Sequence, residues 1–307
     1  MELSLQNITK TYGKHLALDR FSLRMTPGIY ALLGPNGAGK STLLHILTDN
    51  LKASGGTVVY TDDSGVSEPV ASMGARFREK LGFMPQAPSM YRNFSAERFL
   101  WYVASLKGMR RAQAARQIPE VLHTVDLSDA AKWRIGTFSG GMKQRLSLAQ
   151  AILGDPEILI LDEPTAWLDP NQRIAVRNYL SQIALNKILL IATHIVADVE
   201  HIAKEVIVMD KGRIVTKGSP MALAQSVCGR VWQASACAED VEAVQARHRV
   251  TAISPQPSDP SRFTLRILSE EKPTSDARMV APTLEDYYLD TFGEQAGFQS
   301  SIYMEEI

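Results

Sequence analysis

Apolar residues in this chain fall into short runs that stop abruptly at a glycine, a proline or an acid. GIYALL (28–33), EILILD (157–162), KILLIA (187–192) and EVIVMD (205–210) show almost no alternation. Uninterrupted runs of this length predict strands buried on both faces of a largely parallel sheet. KLGFMPQ (80–86) predicts another short strand, stopped at Pro85. Helical spacing appears between the strands. Ser95 heads AERFLWYVASLKGM, with Phe94 and Phe99 at the N′ and N4 positions of a hydrophobic staple and Phe99, Val103 and Leu106 on one face. A second helix is predicted over about 112–125. GMKQRLSLAQAIL then carries Met142, Leu146, Ala149 and Leu153 along one stripe. A helix follows Pro170, a shorter one follows residue 194, and the polar stretch 61–75 reads as a surface loop. Strands alternating with helices in this way predict an α/β fold.

The texture changes at about residue 228. RVWQASAC, RVTAIS and RFTLRIL read as strands around a short helix, QPSDPS as a turn, and APTLEDYYLDTF as a helix capped by Thr283. This tail predicts a small C-terminal α+β appendage with its own modest core. The chain shows no internal repeat and no low-complexity tract.

Composition then narrows the function classes. The 307 residues carry 33 basic and 33 acidic side chains. A sequence-independent nucleic-acid binder would show a basic surplus, so no nucleic-acid partner is expected. The apolar runs fall far short of the roughly 20 residues that cross a bilayer as a helix. The N-terminus, MELSLQNITKTYGKH, alternates without a signal-peptide core. The protein is therefore expected to be made and kept in the cytosol, touching a membrane only through a partner. Cys228 and Cys237 form no metal-type cluster and read as free thiols.

The strongest chemical signal is GPNGAGKS, residues 34–41, which matches the phosphate-loop pattern G-x-x-x-x-G-K-[ST]. Its glycines let backbone N–H groups turn inward on an anion, and the following helix adds its positive end. Lys40 would reach the β- and γ-phosphates, and Ser41 would offer a hydroxyl to Mg²⁺. Average residue usage produces such a pattern in roughly one chain in a hundred of this length, and here a strand precedes it and a helix follows. The second signal is ILILDEP, residues 158–164. Asp162 stands where a buried strand emerges, the place of the metal-holding acid in phosphate-loop enzymes. Glu163 is placed to polarise a water for attack on phosphorus. Without the phosphate loop, an Asp-Glu pair after a strand is more often a solvated strand end. His194 follows another buried strand, which puts it on the same carboxyl edge, where ligands of open α/β sheets gather.

These motifs, in this order, resemble the nucleotide-binding subunit of an ABC transporter over about residues 1–217. The resemblance implies a phosphate-loop NTPase core of ABC type with an antiparallel β subdomain and a helical subdomain at about 88–150. Residues 218–307 form the appendage. It also implies ATP and Mg²⁺ as ligands. Tyr12 in TYG would stack on adenine, and the loop residues Gly34, Pro35, Asn36, Gly37, Ala38, Gly39, Lys40, Ser41 and Thr42 would hold the phosphates. MPQ matches the Gln loop, so Gln86 would contact Mg²⁺, beside Ser41 and Asp162, or the attacking water, and sense a membrane partner. FSGGMKQ matches the signature, so Ser139, Gly140, Gly141 and Met142 would contact ATP held by a second subunit. TAWLD resembles the D-loop with Asp169 at its acid, and His194 matches the switch histidine. Glu163, His194 and Gln86 are the expected catalytic groups.

The family pairs two such domains head to tail with two ATP molecules between them, so a second copy is the expected partner, together with an integral membrane permease. Peripheral attachment to the cytoplasmic side of the cell membrane follows. Two positions depart from the common pattern. Met142 stands where the signature usually has Gln, a variant seen in exporter-type subunits, and Trp167 is bulky for a D-loop. A transport subunit is favoured over a cytosolic mechanical ATPase, because there is one phosphate loop and no sustained heptad run. The tail APTLEDYYLDTFG resembles those of drug, antibiotic-peptide and polysaccharide exporters, so export is the expected direction.

Overall fold

The computed structural model describes residues 1–293, and within these two compact units meet at a boundary after Lys217, the first being Met1–Lys217 and the second beginning at Gly218. In chain order the first unit opens with β1 (Glu2–Tyr12), β2 (His15–Met25) and β3 (Gly28–Leu33), then α1 (Lys40–Leu47). There follow β4 (Gly55–Thr61), β5 (Ser67–Pro69), α2 (Val70–Met73), α3 (Ala75–Glu79) and β6 (Leu81–Met84). Three helices come next: α4 (Ala96–Leu106), α5 (Arg111–Thr124) and α6 (Gly140–Ile152). The unit ends with β7 (Ile158–Asp162), α7 (Pro170–Ile183), β8 (Ile188–Ala192), α8 (Val196–Val199), β9 (Glu205–Asp210) and β10 (Arg213–Gly218).

Two sheets result. The six-stranded sheet has the order β10-β9-β3-β8-β7-β6, and its pairs β6–β7, β7–β8, β8–β3 and β3–β9 are parallel. Every residue of β8, and all of β7 except Asp162, is buried, which is why these runs show no alternation. The other sheet, β2-β1-β4-β5, is antiparallel. Leu3, Leu5, Ile8 and Phe21 from it join Leu32, Leu44, Ile160 and Leu190 in one core. Ser95 caps α4 by accepting from the Arg98 N–H at 3.2 Å, and α4, α5 and α6 pack together.

Register places the chemistry. Leu32 lies opposite Ala192, Ala192 opposite Asp162, and Met84 opposite Leu161. The carboxyl ends of β3, β8, β7 and β6 therefore finish on one line, and the phosphate loop, His194, Glu163 and Gln86 each begin one or two residues beyond it.

Three local expectations change. The polar stretch 61–75 is not all loop. Asp62 Oδ1 accepts from the N–H groups of Ser64 and Val66, turning the chain into β5, after which Val70 and Met73 are buried on α2. Leu106 does not share the inner face of α4; it is 69% exposed, and Leu100 and Ala104 are buried instead. Leu153 is buried just past the end of α6.

The second unit begins with α9 (Pro220–Gln225) and β11 (Val231–Cys237), then α10 (Val241–Arg247), β12 (Arg249–Gln256), β13 (Asp259–Leu268), β14 (Arg278–Met279) and α11 (Leu284–Phe292). Its antiparallel sheet has the order β12-β13-β11-β14. Thr283 and Asp286 form a reciprocal capping box at the start of α11, and buried Asp286 also takes a two-toothed ion pair from Arg266.

Candidate nucleotide site

Lys40 opens α1 directly after the loop that leaves β3. Gly39 caps that helix at φ 101°, and a Cβ there would come within 2.6 Å of the Ala17 carbonyl oxygen. Only glycine fits this turn. The Lys40 ammonium donates back to the carbonyls of Gly34 (2.5 Å) and Pro35 (3.0 Å). Burial lowers its pKa, while Glu163 and Asp162 pull it upward.

Asp162 faces the mirror-image situation. Burial, and then Glu163, push its carboxyl up to about 6, with Lys40 and His45 acting against the rise. Lysine and aspartate both lean toward their neutral forms, as expected of groups waiting for charged ligands. The aspartate shift carries a stability consequence. Its folded pKa exceeds its ordinary 3.8, so the ionised form weakens the fold above about pH 6, and the penalty fades as pH falls from 6 toward 4. Asp162→Asn is expected to stabilise the nucleotide-free, metal-free protein by about 1 kcal/mol near pH 8, after allowance for solvent screening. It should change nothing near pH 4. Thermal melts at the two pH values check this, and an equal gain at both would refute it.

Glu163 is the most tightly held group. It is 6% exposed and sits at φ 52°, a left-handed conformation uncommon for a side chain of this size. Its Oε2 accepts from the Thr193 hydroxyl at 2.9 Å. Its Oε1 accepts from the His194 N–H at 3.0 Å and lies 2.7 Å from His194 Nδ1. The Glu163 N–H donates to the Ala192 carbonyl at 2.8 Å. Gln144, buried on α6, donates from Nε2 to the Glu163 carbonyl at 2.6 Å.

Thr193 and Gln144 escaped the reading of the sequence. The available signal for Gln144 was a polar residue on the helical face that it shares with Leu148 and Ala151, all three buried. Thr193 carried no signal beyond its place between a buried strand and His194.

The remaining candidates lie at helix starts and strand ends. Ser139 caps α6, accepting from the Met142 N–H at 3.2 Å. Gly140 and Gly141 form its first turn, and Trp167 lies against both. A Cβ on Gly141 would come within 2.9 Å of the Trp167 carbonyl oxygen. The second signature glycine thus has a reason inside its own chain, beyond the open approach to phosphate that the resemblance implies. Trp167 itself is 80% exposed at φ 65°, so it covers no local core. Asp169 caps α7 by accepting from the Gln172 N–H at 2.9 Å. Thr165 in the same turn donates to the buried carboxylate of Asp198 on α8. Tyr12 ends β1, half exposed, with the Lys10 ammonium 5.1 Å from its ring centre. Gln86 is exposed two residues past β6.

The ABC transporter family profile matches residues 18–166. The chain is similar to YxlF, an ABC transporter ATP-binding protein of Bacillus subtilis strain 168. The two are 37% identical over 224 residues, 73% of this chain and 72% of that one. It is also similar to Nod factor export ATP-binding protein I of Cupriavidus metallidurans, 34% identical over 229 residues, 74% of each chain. Among solved structures, an ATP-binding subunit of an ABC transporter matches with TM-score 0.66 and 25% identity over 74% of this chain and 93% of that one. A dimeric, post-hydrolysis ATP-binding cassette bound to ADP and Pi shares the fold, with TM-score 0.63 and 24% identity over 71% and 98%. With a phosphate loop, an Asp-Glu pair whose glutamate is buried and a histidine aligned on one sheet edge, the chain belongs to the ABC transporter family as one of its ATP-binding, ATP-hydrolysing subunits.

Proposed function

We propose that this chain drives export through a separate integral membrane permease, working as a pair of copies that closes on ATP and reopens after hydrolysis. The observation that carries the hydrolytic part is the carboxylate of Glu163, buried and gripped by Thr193 and His194 beside the phosphate loop. In this reading residues 1–217 are the ATP-binding domain, with a helical part at about 88–150, and 218–307 are an appendage to it. Lys40 leaves the Gly34 and Pro35 carbonyls to meet the β- and γ-phosphates, and the N–H groups of 34–42 wrap them. Tyr12 stacks on the adenine.

The donors available for a metal are the Ser41 hydroxyl, the Asp162 carboxylate and the Gln86 amide oxygen. All are hard oxygens that suit Mg²⁺, and a cation beside Asp162 would offset the burial and the Glu163 charge that push its carboxyl up. Bound there, Mg²⁺ would neutralise phosphate charge. Glu163 takes a proton from the attacking water, and His194 holds that carboxylate in place while facing the γ-phosphate. Ser139, Gly140, Gly141 and Met142 serve the nucleotide of the other copy, so hydrolysis removes the group that holds the copies together. Asp169 and its turn lie beside them.

A groove of about 550 Å³ beneath α4 supports the permease partner. Phe83, Tyr91, Phe99, Tyr102 and Leu106 line it, and the Tyr91 ring stacks on Phe94 at 5.0 Å and meets Tyr102 edge-on at 5.4 Å. An aromatic groove with an exposed leucine at its rim suits a short amphipathic segment of a membrane protein. Among the described residues no helix is long and apolar enough to cross a membrane, which fits peripheral attachment at the cytoplasmic face. Export rests on the names of the Nod factor export relatives. The test is co-expression with a multi-span membrane protein from a neighbouring reading frame. We expect that protein to retain the chain on an affinity column and to load its cargo into inside-out vesicles with ATP. No retention would overturn the permease, and ATP-driven movement in the opposite direction would overturn export.

A further inference from the structure

We infer that Gln144 is a positioning residue that links the signature stretch of a chain to the general base of that same chain; the inference rests on the two-copy reading above. Gln144 is 3% exposed, and its Nε2 donates to the Glu163 carbonyl at 2.6 Å. Glu163 occupies a left-handed backbone conformation, φ 52°. Such a conformation costs about 1–3 kcal/mol and persists only where its surroundings over-determine it. Three bonds hold this peptide. Its N–H reaches the Ala192 carbonyl at 2.8 Å, and its carbonyl accepts from Ala166 N–H at 3.2 Å and from Gln144. The first two come from the sheet and from the turn itself. The third comes from α6, the helix that opens at Ser139.

Gln144 lies five positions beyond Ser139, about 7.5 Å along the helix. A regular helix over that distance moves as a rigid piece, so its start and its Gln144 side chain shift together. In the closed pair Ser139 engages the γ-phosphate held by the other copy, whereas Glu163 acts on the phosphate held by its own. The Gln144 bond therefore joins the two sites through one helix: capture of one nucleotide fixes the peptide that aims the base at the other. Gln144 is buried beside Ser147, Leu148 and Ala151 on α6, and packing alone does not account for its amide, since an apolar side chain of the same length would fill the space without desolvation cost. The bond that it makes is its reason.

The test is Gln144→Met, which keeps the length and removes the donor. The Glu163 carbonyl retains Ala166, so no acceptor is orphaned. We expect unchanged affinity for ATP, an unchanged KM, a fall in kcat of about tenfold to a hundredfold, and loss of cooperativity in ATP. Gln144→Asn, one methylene too short but still polar, should show the same losses and covers the case in which the methionine variant does not fold. A cycle with Ser139→Ala supplies a readout that a purely structural role would not move. If the two residues act as one device, the double variant loses no more than the worse single one. Multiplying losses would overturn the link, as would a kcat within about twofold of the parent with cooperativity kept. Sedimentation of Glu163→Gln with ATP separates the two levels. If that variant stays monomeric, the two-copy reading falls and takes this inference with it. If it pairs while Gln144→Met hydrolyses normally, this inference alone falls.

Discussion

Glu163→Gln is expected to lower kcat by about a thousandfold while ATP binding survives. The substitution is nearly silent for the fold. One amide oxygen can still accept from the His194 N–H, and the amide nitrogen can donate to the Thr193 hydroxyl, whose proton is free to rotate elsewhere. What disappears is the ability to take a proton from water. With Lys40, the loop amides and Ser139 intact, the closed pair should form and remain. Gel filtration with ATP and Mg²⁺ would then show an accumulating dimer, and single-turnover assays would show almost no ADP. A variant that turned over at the parental rate would remove Glu163 from the role of base.

Lys40→Ala has the second large expected effect, on binding rather than on chemistry. Charge-assisted contacts to phosphate contribute about 3 kcal/mol, which corresponds to roughly a hundredfold in Kd. The resting fold should tolerate the loss. Burial works against the Lys40 ammonium, and the Gly34 and Pro35 carbonyls that it satisfies belong to a loop whose Asn36 and Gly37 are exposed to water. Titration calorimetry should therefore report weak ATP binding by a protein with a near-normal melting temperature. Unchanged affinity would count against the phosphate-loop assignment, and a collapsed melting temperature would show that the lysine mainly braces the loop.

The parts of this fold that were legible in the sequence are those where burial is complete. The runs now seen as β3, β7, β8 and β9 are packed on both faces, so apolarity alone marked them. Ser95 and Thr283 announced their helices because a cap is local chemistry. Less was legible where single residues decide. Val70 and Met73 are buried from a stretch dominated by polar neighbours, and no period of two or 3.6 can emerge from two residues. Leu106 has the spacing of a core position and lies exposed, because helical spacing sets only the angle around the axis and says nothing of where the neighbouring elements end. In the site, the residues that would touch ligand stood out through motif and strand-end position. The groups behind them did not. Gln144 and Thr193 act on Glu163 from 19 and 30 residues away; the packing of α6 against the sheet brings the first there, and the β7–β8 register the second.

That register also sets a timetable for synthesis. The phosphate loop is made early, at residues 34–41, yet its backbone is braced by the far end of the domain. The Gly212 N–H donates to the Ala38 carbonyl at 2.9 Å, and the Met209 carbonyl fills the space where Gly34 would carry a Cβ. Parallel strands this distant in the chain pair late, after long segments have been closed. A growing chain on the ribosome thus carries a complete phosphate-loop sequence for more than a hundred and fifty residues before β9 and the turn after it emerge to shape it. Nucleotide, binding only the finished edge, would then draw the newborn domain toward its native state by mass action.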